Sequence, residues 1–323
     1  MRLHRRDFML ASAAAALSGH ASANAWPSKP LRIIAPAGPG SPADTAIRAF
    51  QDLLPARLGQ PMVIENRPGA QGVIGLDAVA KSPVDNHTFG MMHLQLAAAP
   101  AMRNGKMPFD LEKGIEPVVQ LSTESPVLLV NTNLPANTLK EFIELAKSKP
   151  QMLVYGSAGS GSPAHLGMEL LQRAAGMSLV HVPYKTIASA VTDLAGKQID
   201  VALAGSNAAL QGLNSGRVRA LAVSAPQRLP AFPNVPTLAE AGFPGIDLRG
   251  WVGLVARSGT DTAAITRLNA EVNELLKQPK IRERFAATGS EPAGGSPALF
   301  KSHIQREMAR WQKLVVEAKI SAD

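Results

Sequence analysis

From Trp26 onward, short apolar runs alternate with amphipathic stretches. Leu31 to Ala35 predicts a strand, Asp44 to Leu54 a helix, Met62 to Glu65 a strand, Val73 to Ala80 a helix and Thr88 to His93 a strand. Strands that alternate with helices predict a parallel sheet covered by those helices. Pro117 to Val130 then holds two apolar runs separated by a polar break, the pattern of a chain crossing from one sheet to another. Leu139, Phe142, Ile143 and Leu145 fall at helical spacing within Thr138 to Ser148.

A second series follows. Met152 to Tyr155, Leu179 to Val182, Ile199 to Ala204 and Val218 to Val223 predict strands, and Ala164 to Ala174 and Ser189 to Ala195 predict helices stopped by Gly176 and Gly196. Gly250 to Ala256 is the candidate return crossing. The tail predicts helices over Thr262 to Leu276, Lys280 to Ala287 and onward from Pro297, where the stripe Phe300, Ile304, Met308, Trp311 and Val315 has the spacing of a core-packing face laid over the first sheet. Two sheets joined by two crossings predict an α/β, two-lobed protein, each lobe a helix-covered, mostly parallel sheet. Residues 26–124 and 251–323 form lobe I, and residues 125–250 form lobe II. A length of 323 residues fits two domains of roughly 100–200 residues each.

Residues 1–25 read as a targeting segment. Arg5-Arg6-Asp7-Phe8-Met9 is a twin-arginine pattern, an apolar run extends to Leu17, and Ala23-Asn24-Ala25 is a small-residue cleavage site, so the expected location is the periplasm. The formal net charge is +8, but basic residues are dispersed and aromatic content is 4%, which argues against a nucleic-acid partner. Cysteine is absent, which excludes disulfides, thiol nucleophiles and Cys-ligated metals.

The candidate chemistry lies in two similar loops. Tyr155 runs through Ser157, Ser160 and Gly161 to Ser162, which stands at an N-cap position before Pro163, with His165 in the first turn. Unpaired helix N–H groups, the positive end of the dipole and three hydroxyls make a seat for an anion, either a carboxylate or a phosphate. Gly40-Ser41-Pro42-Ala43-Asp44 nearly repeats Gly161-Ser162-Pro163-Ala164-His165 after another strand. Both loops also have simpler readings: Ser41 and Asp44 as a capping pair, the second loop's serines as turn residues, and His165 as a cap-region or core histidine. Tyr184-Lys185 follows a predicted strand at the same sheet edge, where the lysine would supply charge.

Two rival readings follow from the same residues. Gly38 to Ala43 and Gly159 to Ala164 fit G-x-G-x-x-A, and Glu65 ends the next strand, as an exported NAD(P)-dependent oxidoreductase would require. A hydrolase would need an activated nucleophile, but Tyr155-Gly156-Ser157-Ala158-Gly159 lacks the first glycine of a nucleophile elbow.

Taken in order, Glu65-Asn66-Arg67-Pro68-Gly69-Ala70 with Ile74-Gly75, Tyr155-Gly156-Ser157 through His165-Leu166, and Val182-Pro183-Tyr184-Lys185 resemble the Bug, or TctC, family of extracytoplasmic solute receptors. Asp193-Leu194 with Gly196 and Asp200, Ala220-Leu221-Ala222-Val223, and Val235-Pro236-Thr237 with Glu240-Ala241-Gly242 extend the resemblance along essentially the whole mature chain. It implies a flytrap of the type II periplasmic binding-protein kind, which holds a small carboxylated solute between its lobes and passes it to membrane subunits of a tripartite tricarboxylate transporter. No cofactor and no catalysis are implied. The family's first loop reads roughly P-G-G-x-T-D, so Ser41 replaces a glycine and Ala43 a hydroxyl residue, while the loop Met92-His93-Leu94-Gln95 is placed against the cleft. Thr186 replaces a glycine, and the strand near Ala204 lacks an acid often present. These departures bear on which solute is held.

Overall fold

The computed structural model describes residues 26–321; the predicted targeting segment and its cleavage site lie outside them. Among the described residues the strands form two sheets. The first contains β1 (Leu31–Ala35), β2 (Met62–Asn66), β3 (Thr88–His93), β4 (Ile115–Glu124), β10 (Gly250–Arg257) and β11 (Ser290–Pro292), in the order β11-β4-β10-β3-β1-β2. The second contains β5 (Val127–Asn131), β6 (Val154–Ser157), β7 (Val180–Pro183), β8 (Val201–Ala204) and β9 (Val218–Val223), in the order β7-β6-β8-β5-β9.

Both sheets are mixed rather than plainly parallel. β1 runs parallel to β2 and β3, and β6 runs parallel to β7 and β8, as strand–helix–strand units require. The strand that arrives from the other sheet is the antiparallel one: β5 against β8 and β9, and β10 against β3 and β4. A crossing strand enters its sheet at the end where the others finish, so it must run back against them. Only Ser125 and Pro126 separate β4 from β5, and Pro126, lacking an N–H, interrupts the ladder there. The return strand begins beside this point, with Gly250 in register with Glu124.

Apolar residues cover both faces of each sheet, which is why the strands read as unbroken apolar runs. In β1, Ile33 packs with Phe50 and Leu268, whereas Ile34 belongs to the opposite core with Leu76, Phe300 and Trp311. Helices Leu139–Ser148 and Pro163–Ala175 cover one face of the second sheet, and Ile187–Ala195 and Ser206–Asn214 the other.

Several elements differ from the sequence expectation. The helix expected over Asp44 to Leu54 is two helices, Pro42–Arg48 and Leu53–Leu58. A continuous helix would have to place Pro55 in its interior, where the ring would meet the carbonyl of Gln51; the break puts Pro55 in the first turn of a new helix. The residues after His93 are a helix, Leu94–Met102, not a loop. It is apolar apart from Gln95 and contains Pro100, so it carries no amphipathic period. Ser206–Asn214 was also not anticipated; its N-cap is Gly205, with no side-chain capping bond.

Two local networks place the cavity wall. At the loop after β1, Ser41 caps Pro42–Arg48 by accepting from the Asp44 N–H, and Asp44 accepts from the Gly40 N–H, Arg48 Nε and Asn66 Nδ2, each at 2.8–2.9 Å. At the return crossing, Glu307 of the helix Pro297–Ala318 is buried, and its Oε2 accepts from both Trp251 Nε1 (3.1 Å) and Trp311 Nε1 (2.8 Å). Arg310 donates to Glu307 and to the Asp247 carbonyl, and its guanidinium lies 4.5 Å over the Trp311 ring. The stripe residues Phe300, Ile304, Trp311 and Val315 are buried against the first sheet as expected.

Replacing Glu307 by alanine strands two buried indole N–H groups and should cost about 2–6 kcal/mol in urea denaturation, at about 1–3 kcal/mol per unsatisfied donor; Glu307→Gln, which keeps a carbonyl acceptor, should cost clearly less. Burial opposes ionisation of Asp44, but Arg48, the Gly40 N–H and Asn66 outweigh it and hold its carboxyl below the ordinary 3.8. The stability it contributes is therefore complete above pH 3.8 and is lost as pH falls through the lower folded value. Asp44→Asn should lower stability at neutral pH and flatten the acid limb of a stability profile taken down to about pH 2.

Candidate ligand-binding site

A cavity of about 380 Å³ lies between the lobes, off the carboxyl ends of β1, β3 and β4, where open α/β sheets bind ligands. The first lobe supplies the loop from Gly40 to Ala43, His93 at the end of β3 and Gln95 in the helix after it, Ser122 and Glu124 of β4, and Trp251 of β10. The second lobe supplies Pro163 and Asn207, the former opening one helix and the latter in the first turn of another.

Four predicted site residues, Ser41, Ala43, His93 and Gln95, line this cavity. Asp44 does not; its carboxylate turns inward to Gly40, Arg48 and Asn66, and the residue is 1% exposed. That is the capping reading of the loop, reinforced by an ion pair.

The second loop departs more from expectation, because none of Tyr155, Ser157, Ser160, Gly161, Ser162, His165, Tyr184 or Lys185 lines the cavity. Tyr155 is fully buried and donates to Glu169 at 2.8 Å; burial, then the Glu169 charge, raises its hydroxyl pKa. The Ser157 hydroxyl is bonded to Gly159 and, at 2.7 Å, to His181 Nε2. Ser162 caps its helix through the His165 N–H, and His165 Nδ1 accepts from the Gly161 N–H at 2.9 Å. The rings of His165, His181 and Tyr155 form a column, stacked at 4.0 and 4.8 Å. Tyr184 donates to Asp193 at 2.9 Å, and Lys185 is exposed. The hydroxyls of Ser157 and Ser162 and the His165 ring therefore bond within their own lobe. The loop's outer edge meets the first lobe: the Ser160 carbonyl accepts from Gln71 at 3.4 Å, and a Cβ on Gly161 would overlap the Met102 sulfur. Across the cavity, Asn207 donates to the Ala287 carbonyl at 3.0 Å.

The sequence reading missed Ser122, Glu124, Trp251 and Asn207. The polar break after the apolar run of β4 carried the only local signal for Glu124. No lysine or arginine lines the cavity. Burial pushes His93 down to about 4, so its imidazole is neutral at physiological pH, and burial pushes Glu124 up to about 7. Glu65, the acid required by the dinucleotide reading, is instead held by Arg32 and Arg67.

Comparison with known proteins agrees with this geometry. Residues 46–320 match the family described as tripartite tricarboxylate transporter family receptor. The chain is 34% identical over 309 residues to Protein BugT of Bordetella pertussis, covering 94% of each chain. Among solved structures it is similar to R. palustris Rpa4515 with adipate, at 32% identity and a TM-score of 0.79, covering 92% of this chain and 99% of that one. It is also similar to MatC (Rpa3494) from Rhodopseudomonas palustris with bound malate, at 30% identity and a TM-score of 0.75, covering 90% of this chain and all of that one. A shared fold, an interlobe cavity at the strand ends and a family match over most of its length lead to one conclusion: the chain belongs to the TctC family of tripartite tricarboxylate transporter receptors.

Proposed function

We propose that this protein is a periplasmic receptor that captures a small carboxylate-bearing solute between its lobes and delivers it to the membrane subunits of a tripartite transporter, without catalysing a reaction. The observation that carries the proposal is the cavity itself, walled by Ser41, Ala43, His93 and Gln95 from one lobe and Pro163 and Asn207 from the other. A solute touching both walls favours the arrangement in which the lobes meet, and differential contact of this kind is what a binding-driven closure requires. Relatives of about 30% identity hold adipate and malate, which supports a carboxylate as the anchoring group here. Ser41 and the start of the helix Pro42–Arg48 are the carboxylate's anchor in this reading; the second loop acts by contact between lobes, through Gly161 against Met102 and Ser160 against Gln71. The short serine–histidine contact of Ser157 with His181, at 2.7 Å, lies outside the cavity and its serine is fully buried, which supports a receptor rather than a hydrolase. Among the described residues no helix is long and apolar enough to cross a membrane, in keeping with a receptor that docks on separate membrane subunits.

Titration calorimetry of the protein against mono- and dicarboxylates should give heat with at least one of them and none with NAD or NADP; tight nucleotide binding with no carboxylate binding would overturn the proposal. Gly161 adopts φ +71, and its missing Cβ makes room for Met102. Gly161→Ala should therefore weaken binding of that carboxylate by about tenfold, roughly 1.4 kcal/mol, without loss of the folded state in a thermal melt. An unchanged affinity would remove this contact from the closing mechanism.

A further inference from the structure

Glu124 is unlike the buried acids among the described residues. The buried carboxylates Asp44, Glu271 and Glu307 each hold an arginine: Arg48, Arg57 with Arg267, and Arg310. Glu124 has neither a hydrogen-bond partner nor an ion-pair partner among the described residues. The basic side chains around the return crossing are already engaged, Arg249 with Asp247 at 2.7 Å and Arg310 with Glu307 and the Asp247 carbonyl.

Its position is built. Glu124 ends β4, with Gly250 of β10 and Ser290 of β11 in register on either side, and it lines the same cavity as Ser41 and His93. The carboxylate lies over Gly205, where a Cβ would overlap Oε1. Gly205 has φ −62, a conformation open to any residue, so the glycine is needed there for space and not for its backbone. The side chain is partly buried at the cavity wall, and burial alone raises its pKa. A carboxylate at the wall of a cavity without a cation is held partly in its protonated form, and a cation that enters favours the charged form.

The neighbouring groups do not supply it. His93, the other titratable group on the wall, is kept neutral by burial, and the lining contains no lysine or arginine. The start of the helix Ser206–Asn214 brings the positive end of a dipole near, but none of its N–H groups is bonded to the carboxylate.

We infer that the solute carries a cationic, hydrogen-bond-donating nitrogen in addition to its carboxylate, and that Glu124 receives this nitrogen. The inference rests on the carboxylate-receptor reading above and specifies the solute class as a small amino-carboxylate zwitterion. Its carboxylate lies toward the Ser41 loop and its ammonium toward the crossing. The two charge types also move protons in opposite directions. An ammonium lowers the pKa of Glu124 and releases a proton on binding, whereas a second carboxylate at the same place raises it and takes a proton up.

The test is calorimetry of the full chain with length-matched compounds: an unsubstituted monocarboxylate, its α-amino and ω-amino derivatives, and the corresponding dicarboxylate. Each is run near neutral pH in two buffers of different ionisation enthalpy, so that protons are counted. The expected result is at least tenfold tighter binding of an amino-carboxylate than of the unsubstituted acid or the diacid, with net proton release. Glu124→Gln should abolish the proton release and collapse that preference to within about twofold. Gly205→Ala, which displaces the carboxylate without removing it, should weaken the preference while the thermal melt stays cooperative. Tightest binding of the diacid with proton uptake that Glu124→Gln removes would overturn the inference, making Glu124 a neutral acid that donates to a second carboxylate. An amino preference unaffected by both substitutions would overturn it as well. No heat from any member of the series would sink the carboxylate reading itself.

Discussion

The two lobes hang from one piece of paired backbone. β4 leaves the first sheet at Glu124 beside the point where β10 enters it at Gly250, and the two residues are in register. Because Pro126 stops the ladder, the chain changes sheets within two residues instead of running on as one long strand. Glu307 then fixes this place from outside, its single oxygen shared by the indoles of Trp251 and Trp311. Both crossings are thus held where the cavity wall is built, beside Ser122, Glu124 and Trp251. The mixed strand order follows from the same constraint, since a strand that enters at the cleft end can only run away from it.

The two Gly-Ser-Pro loops look alike in sequence and do different work in the fold. Around the first, Asp44 is neutralised by Arg48 and fixed by Asn66, which leaves Ser41 and Ala43 on the cavity surface. Around the second, the hydroxyls and imidazoles close on one another: Ser157 with His181, His165 with the Gly161 amide, and three rings in a stack. A loop whose polar groups are already bonded gains little from a ligand, but it is stiff. That stiffness suits a surface that meets Met102 and Gln71 of the opposite lobe.

The cavity's electrostatics are set by what is left out of it. Neutral His93, hydroxyl and amide side chains, an indole and one unpaired carboxyl make a wall that attracts by hydrogen bonds and local dipoles, with no fixed cation. The protein's excess of positive charge lies elsewhere, where it can bias the approach of anions without deciding which one is retained.

Period and punctuation in the sequence were enough for the elements whose cause is local. Thr88–His93, Val73–Ala80, Val218–Val223 and Thr262–Leu276 match their predicted bounds, and the chain changes sheets within Pro117 to Val130, the stretch with the polar break. The resemblance carried by motifs from Glu65 to Gly242 identified the family and, with it, the two-lobed fold. What the sequence could not specify depends on partners distant in the chain. The helix Leu94–Met102 has no amphipathic period because neighbours bury it on all sides, and β5 and β10 take their direction from the sheets they join. The site was legible only in part for the same reason. Whether a polar side chain faces a solute or a neighbour depends on what packs against it: His181 claims Ser157, Arg48 claims Asp44, and none of the described residues claims Glu124. That choice is made by tertiary contact, because a hydrogen-bonding group bonds to whatever the fold brings within about 3 Å of it.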